Sequence, residues 1–131
     1  YFILNNFFNH LKKSFWWGLG FIVLVVLIWY ASTRPGKYDG FAQCLTDEGV
    51  KMYGAYWCPH CQAQKKLFGS SWKFVNYIEC ATPGTDTPKP VCTTAGIKSY
   101  PTWEFKDGNK ISGELSLQQL GSFTGCELLQ E

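Results

Sequence analysis

The longest apolar run covers residues 15–31, Phe-Trp-Trp-Gly-Leu-Gly-Phe-Ile-Val-Leu-Val-Val-Leu-Ile-Trp-Tyr-Ala, and holds no charge. As a helix rising ~1.5 Å per residue it spans about 26 Å, the short end for a membrane crossing. Trp16, Trp17, Trp29 and Tyr30 bracket it as interfacial aromatics do. The competing readings are the apolar region of a cleaved signal peptide and a buried soluble helix. Signal peptides have shorter apolar regions and small residues at the cleavage point, which Trp29-Tyr30-Ala31 does not offer. The pattern therefore predicts an uncleaved transmembrane helix. Before it, Phe7, Phe8 and Leu11 have helical spacing beside Lys12 and Lys13, as an interfacial helix would. Residues 1–14 are given no function, and the missing initiator Met fits a truncated start. Residues 32–40, with Pro35, Gly36 and Gly40, read as a linker.

The pattern then changes to short, alternating elements. Asp39 is placed to cap a helix over Phe41–Leu45, closed by Gly49. Val50 to Trp57 is β-branched and aromatic with no helical spacing, so it predicts a strand. A helix follows from Pro59, which suits a first helical turn, to the stop at Gly69. Lys73–Glu79 alternates and predicts a second strand. Strand, helix and strand at this spacing make a right-handed unit with parallel strands. Residues 80–92 are rich in Pro, Gly and Thr, and Val91–Ile97 reads as a short helix. Pro101–Phe105 and Lys110–Leu115 flank Asp107-Gly108-Asn109, a hairpin signal. Ser116 caps a last helix with Leu117, Leu120 and Phe123 on one face. The expectation is an α/β domain over residues 41–131, built β-α-β and then β-β-α.

Charge is segregated. Of twelve cationic residues, Lys12, Lys13, Arg34 and Lys37 precede residue 38 with no acid among them, and the other eight share the domain with all ten acids. This distribution suggests no nucleic-acid partner. It also leaves the orientation of the membrane helix nearly tied. The six cysteines break the tie. Only one Cys-x-x-Cys exists, and Cys44, Cys80, Cys92 and Cys126 remain to form two bridges. That count predicts an extracytoplasmic domain, on the periplasmic or cell-surface side.

The candidate chemistry is Cys58-Pro59-His60-Cys61, where a strand hands over to a helix N-terminus. A thiolate, not a thiol, attacks a disulfide, and free N–H groups with the helix dipole favour an anion there. Cys58 is the expected nucleophile, Cys61 the resolving thiol, and His60 can add a donor or a positive charge. Stabilising the thiolate stabilises the reduced form, so such a pair gives its disulfide away.

Trp57-Cys58-Pro59-His60-Cys61 resembles the active site of the thioredoxin-like superfamily. The longer run from Tyr53 to Gln62, with Lys66-Leu67-Phe68-Gly69 and Tyr100-Pro101-Thr102-Trp103, resembles the thioredoxin-like domain of bacterial vitamin K epoxide reductase homologues and its small membrane-anchored relatives. The likeness covers about residues 41 to 126. It implies a thioredoxin fold with a central mixed sheet, and passage of disulfides between a membrane quinone reductase and secreted proteins. It further implies that Tyr100-Pro101 is a cis-proline site whose backbone, with Trp57, binds the substrate strand; read from the residues alone, Pro101 is simply the tolerated first residue of an edge strand. Related domains carry a cysteine pair after the second strand, which points to Cys80–Cys92. Such a bridge would contribute about 3 kcal/mol by the chain-entropy model; two free buried cysteines are the alternative. Cys44–Cys126 follows by elimination.

One departure matters. Many thioredoxins have a buried acid six residues before the first cysteine, where this chain has Met52. Cys61 is left without an obvious base, and Glu79 and Lys51 read as solvated strand charges. Trp72, Phe74, Tyr77 and Trp103 read as core. No cofactor and no metal is expected: a zinc knuckle needs a second ligand pair, and His10 is the only other histidine.

The expected function is a membrane-anchored thiol–disulfide oxidoreductase, acting as an oxidase on cysteine-containing secreted proteins. With one membrane helix, re-oxidation is expected from a separate quinone-linked membrane partner. The alternatives are a reductase or isomerase, as in haem-protein maturation, and a non-enzymatic anchored module. A potential near about −120 mV distinguishes the oxidase from a reductase near about −270 mV. Fast alkylation of Cys58 excludes the module.

Overall fold

The structure is a computed structural model that describes residues 2–128, with side chains from Trp16 onward. Tyr1 and residues 129–131, the end of the expected domain, lie outside the described residues. The chain forms two compact units, one through Arg34 and one from Pro35.

The first unit is a single helix, α1 (Phe2–Thr33). Its window Trp16–Thr33 is long and apolar enough to cross a membrane. No side chain in that window is buried, so its apolar groups have no protein partner within the unit.

The second unit is a mixed α/β domain around a four-stranded sheet of order β2-β1-β3-β4. The strands are β1 (Lys51–Gly54), β2 (Tyr77–Glu79), β3 (Thr102–Glu104) and β4 (Lys110–Ser112). β1 pairs parallel with β2 and antiparallel with β3, which pairs antiparallel with β4. Successive residues of β1 point to opposite faces of the sheet. Met52 enters the larger core, with Phe41 and Leu45 of α2 (Asp39–Asp47), Phe68 of α3 (Pro59–Phe68), Trp103 of β3 and Leu120 of α5 (Leu117–Thr124). Tyr53 enters a smaller core with Cys80 and Cys92, flanked by Ile78 and Ile97.

Local chemistry sets the ends. Gly69 closes α3, and Ser116 caps α5 in a reciprocal box with Gln119. Gly108 takes φ 82° in the β3–β4 turn, a conformation that favours glycine. Three expectations need correction. Asp39 does not cap α2 but forms its first residue; Tyr38 stands at the cap, and the Asp39 carboxylate accepts the Gly36 N–H at 2.8 Å. The expected strand Lys73–Glu79 pairs as a strand only from Tyr77, because Gly69–Phe74 coils as a 3₁₀ segment. Tertiary bonds claim it: buried Ser71 Oγ accepts the Tyr38 N–H at 2.9 Å, and the Thr46 hydroxyl donates to the Phe74 carbonyl at 2.6 Å. The short helix also begins one residue early, as α4 (Pro90–Thr94), and ends before Gly96, whose φ is 71°.

Candidate active site

Cys58 is the N-cap of α3, extended at φ −75° and ψ 119°, and Pro59 is the first helical residue. The geometry follows from the sequence, since a residue before proline is pushed out of the helical region. As a result the Cys61 N–H donates to the Cys58 sulfur at 3.4 Å. The Cys58 thiol in turn lies 3.6 Å from the Tyr100 carbonyl and donates to it. The Tyr100–Pro101 bond is cis, and Pro101 is buried. Cys58, Cys61, Tyr100 and Pro101 thus converge at one end of β1. Cys58 is 5% exposed and Cys61 fully buried, the order expected of an attacking and a resolving thiol. Both are free, while Cys44 pairs with Cys126 and Cys80 with Cys92.

Around the thiols the surface is aromatic. Trp57 is 60% exposed and meets the Tyr100 ring edge-on at 6.2 Å. Trp57, Tyr100 and residues of the stretch between Cys80 and Pro88 line a cleft of about 290 Å³.

His60 Nδ1 lies 2.6 Å from Glu114 Oε1, a contact that sequence spacing did not reveal. The partner is delivered by Gln64, one helical turn further along α3. Buried Gln64 donates to the Leu115 carbonyl and accepts the Leu115 N–H, both at 2.8 Å. The clamp holds residue 114 opposite residue 60.

Cys61 sits in a different environment. Burial pushes its thiol up to about 12, and the neighbouring Cys58 sulfur adds to the rise against the Ala55 backbone and Lys65. At neutral pH this thiol keeps its proton. Met52 stands, fully buried, where an acid was absent from the sequence. Glu79 and Lys51 are not the solvated strand charges expected of them. The Lys51 ammonium reaches Glu104 at 3.5 Å. Glu79 accepts three hydrogen bonds: the Tyr56 N–H at 3.1 Å, the Ala81 N–H at 2.9 Å and the Tyr77 hydroxyl at 2.8 Å. Tyr77, expected as core, is half-buried and carries its hydroxyl into this bond. The one clue to it was alternation, which sends residues 77 and 79 to the same side of β2.

No protein-family model matches the chain. Among curated proteins it is 41% identical over 93 residues to thiol-disulfide oxidoreductase LTO1 of Arabidopsis thaliana. The alignment takes in 68% of this chain and 24% of the relative, so the chain spans about a quarter of that protein's length. What this chain is similar to is therefore one part of a thiol–disulfide oxidoreductase that is much longer than itself.

Proposed function

We propose that the chain is a membrane-anchored thiol–disulfide oxidoreductase with a thioredoxin fold, exchanging disulfides through Cys58 and Cys61. One observation carries the reading. Two free thiols stand at the start of one helix, the first receiving the N–H of the second and lying against the carbonyl before a cis-proline. The order of the strands and the similarity to a named oxidoreductase support it.

The chemistry follows from the asymmetry of the pair. Cys58 stands at the N-cap of the helix with its sulfur accepting an N–H, and it is the less buried of the two, so it is the atom that attacks or is attacked. Cys61, buried and protonated, closes or opens the internal bond. His60, between the two cysteines in sequence and held by Glu114, is the residue assigned to tune the pair. Trp57, Tyr100 and Pro101 form the edge on which the client's extended chain lies. In the oxidising direction a client thiolate attacks Cys58 and the electron pair leaves on Cys61. A second client thiolate then releases Cys58.

The clients in this proposal are cysteine-containing secreted proteins, and the domain lies outside the cytoplasm. Two bridges beside the redox pair support that side of the membrane. Re-oxidation falls to a separate quinone-linked membrane protein, a role suggested by the resemblance to domains of vitamin K epoxide reductase homologues. Trapping tests the exchange itself. A Cys61→Ala chain should accumulate a mixed disulfide at Cys58 when offered a peptide that carries a disulfide, and a Cys58→Ala chain should not. Equal trapping by both, or by neither, would overturn the assignment.

A further inference from the structure

Resolution at Cys61 needs somewhere for a proton to go, and the usual strand position offers only Met52. The groups facing the Cys61 sulfur are few. They are Cys58 at the N-cap of α3, Lys65 on α3, Tyr77 on β2 and Tyr100 before β3, with Glu79 reached through the Tyr77 hydroxyl. Gly54 opens the way between them. A Cβ placed on Gly54 would sit 2.9 Å from the Cys61 sulfur and 3.2 Å from the Tyr77 hydroxyl oxygen, so thiol and phenol border the same small space. Gly54 is also the register partner of Glu79 across the parallel pair. The Lys65 ammonium lies 3.9 Å from the centre of the Tyr77 ring.

We infer that Tyr77 and Glu79 form the proton relay of Cys61, taking the part of the acid missing at Met52. The inference rests on the disulfide-exchange reading above. Tyr77 supplies the hydroxyl that borders the thiol. Its O–H already points at Glu79, at 2.8 Å. Glu79 is half-buried, so its carboxylate can pass a proton on to water. Burial raises the Tyr77 phenol and the Glu79 charge raises it further. The phenol therefore carries a proton through without resting as a phenolate.

The step balances as follows, for a disulfide partner held on Cys58. The Cys61 thiol proton moves to the Tyr77 oxygen as the Tyr77 proton moves to Glu79. The freed electron pair on Cys61 forms a bond to the Cys58 sulfur. The Cys58–partner bond breaks, and the partner sulfur leaves with the pair and takes up a proton. The dithiol is oxidised and the partner disulfide reduced. When a client is oxidised instead, Cys61 is the leaving sulfur and Glu79 returns the proton.

Glu79 also holds two backbone N–H groups, so the test must separate relay from scaffold. Glu79→Gln keeps a carbonyl oxygen for those N–H groups and removes the base. Tyr77→Phe keeps the ring and removes the link. The full chain, reduced at Cys58 and Cys61 only, is mixed in detergent with Ellman's reagent, an aromatic disulfide. The first equivalent of released thiolate reports attack by Cys58, and the second reports resolution by Cys61. In the wild type the second phase should be nearly independent of pH over about pH 6 to 9. In each variant it should be about 10²-fold slower at pH 7 and rise about tenfold per pH unit, the first phase being unchanged. A second phase that keeps the wild-type profile in both variants, or that slows by one factor at every pH, would overturn the relay. A wild-type chain with no first phase would overturn the exchange reading itself, and the relay with it.

Discussion

Gly54 shows how tightly the second thiol is enclosed. A methyl group there would lie 2.8 Å from the Tyr77 ring and 2.9 Å from the Cys61 sulfur, and neither neighbour is the free end of a flexible chain. Gly54→Ala is expected to cost about 1–3 kcal/mol, the usual range for overpacking a filled interior, measured by urea unfolding of the reduced protein. It should also slow exchange at Cys61 more than at Cys58. The need for glycine here was not legible in the chain, because Tyr53-Gly54-Ala55 reads as an ordinary strand end. Cys58, Pro59 and Cys61 were legible, since proline and helix start fix their local geometry. Glu114 was not, because it meets His60 across 54 residues of sequence, and of the Glu79 partners the Tyr56 N–H lies 23 residues away. The alternation in β2 marked only the side to which Tyr77 and Glu79 point.

At the scale of elements, two polar links hold the site to its scaffold. Gln64 joins α3 to the stretch before α5 through both backbone groups of Leu115. Gln64→Leu keeps the volume and leaves that N–H and C=O without partners. At about 1–3 kcal/mol for each unsatisfied group it should destabilise the domain by about 2–6 kcal/mol, read from the urea midpoint. Glu104 on β3 receives Lys110 of β4 at 3.0 Å and Lys51 of β1 at 3.5 Å. Burial raises its carboxyl, but the hydrogen bond and charge of Lys110, joined by Lys51, outweigh it and hold the group below its ordinary value. A carboxylate depressed in the folded state adds stability above its unfolded value and loses it as pH falls through the folded one. Glu104→Gln should therefore be less stable than wild type at neutral pH, with the gap closing below about pH 4. An equal gap at pH 7 and pH 3 would show that the loss is one of packing. The elements themselves were largely readable, through the hairpin turn, the Ser116 cap and the strand–helix handover at Cys58. The 3₁₀ segment Gly69–Phe74 was not, because Ser71 and Phe74 take their partners from Tyr38 and Thr46, contacts that no local alternation records.

For the whole molecule, an apolar helix and a redox-capable domain share one chain, and each unit is organised separately. From Trp16 to Tyr30 the helix exposes Ile, Val, Leu and Trp, which suits a lipid surrounding. The domain closes its own core and carries two bridges that leave Cys58 and Cys61 free. The division into two bridges and one free pair was legible through cysteine counting and family resemblance, because only one pair has Cys-x-x-Cys spacing. The direction in which the pair moves electrons depends on how far the helix N-terminus, His60 and Glu114 favour the reduced form. The most direct measurement is the equilibrium potential of Cys58–Cys61 in the full chain, titrated against glutathione with the structural bridges intact. Near about −120 mV is predicted, the value of a pair that donates disulfides; near about −270 mV would contradict it and describe a reductase.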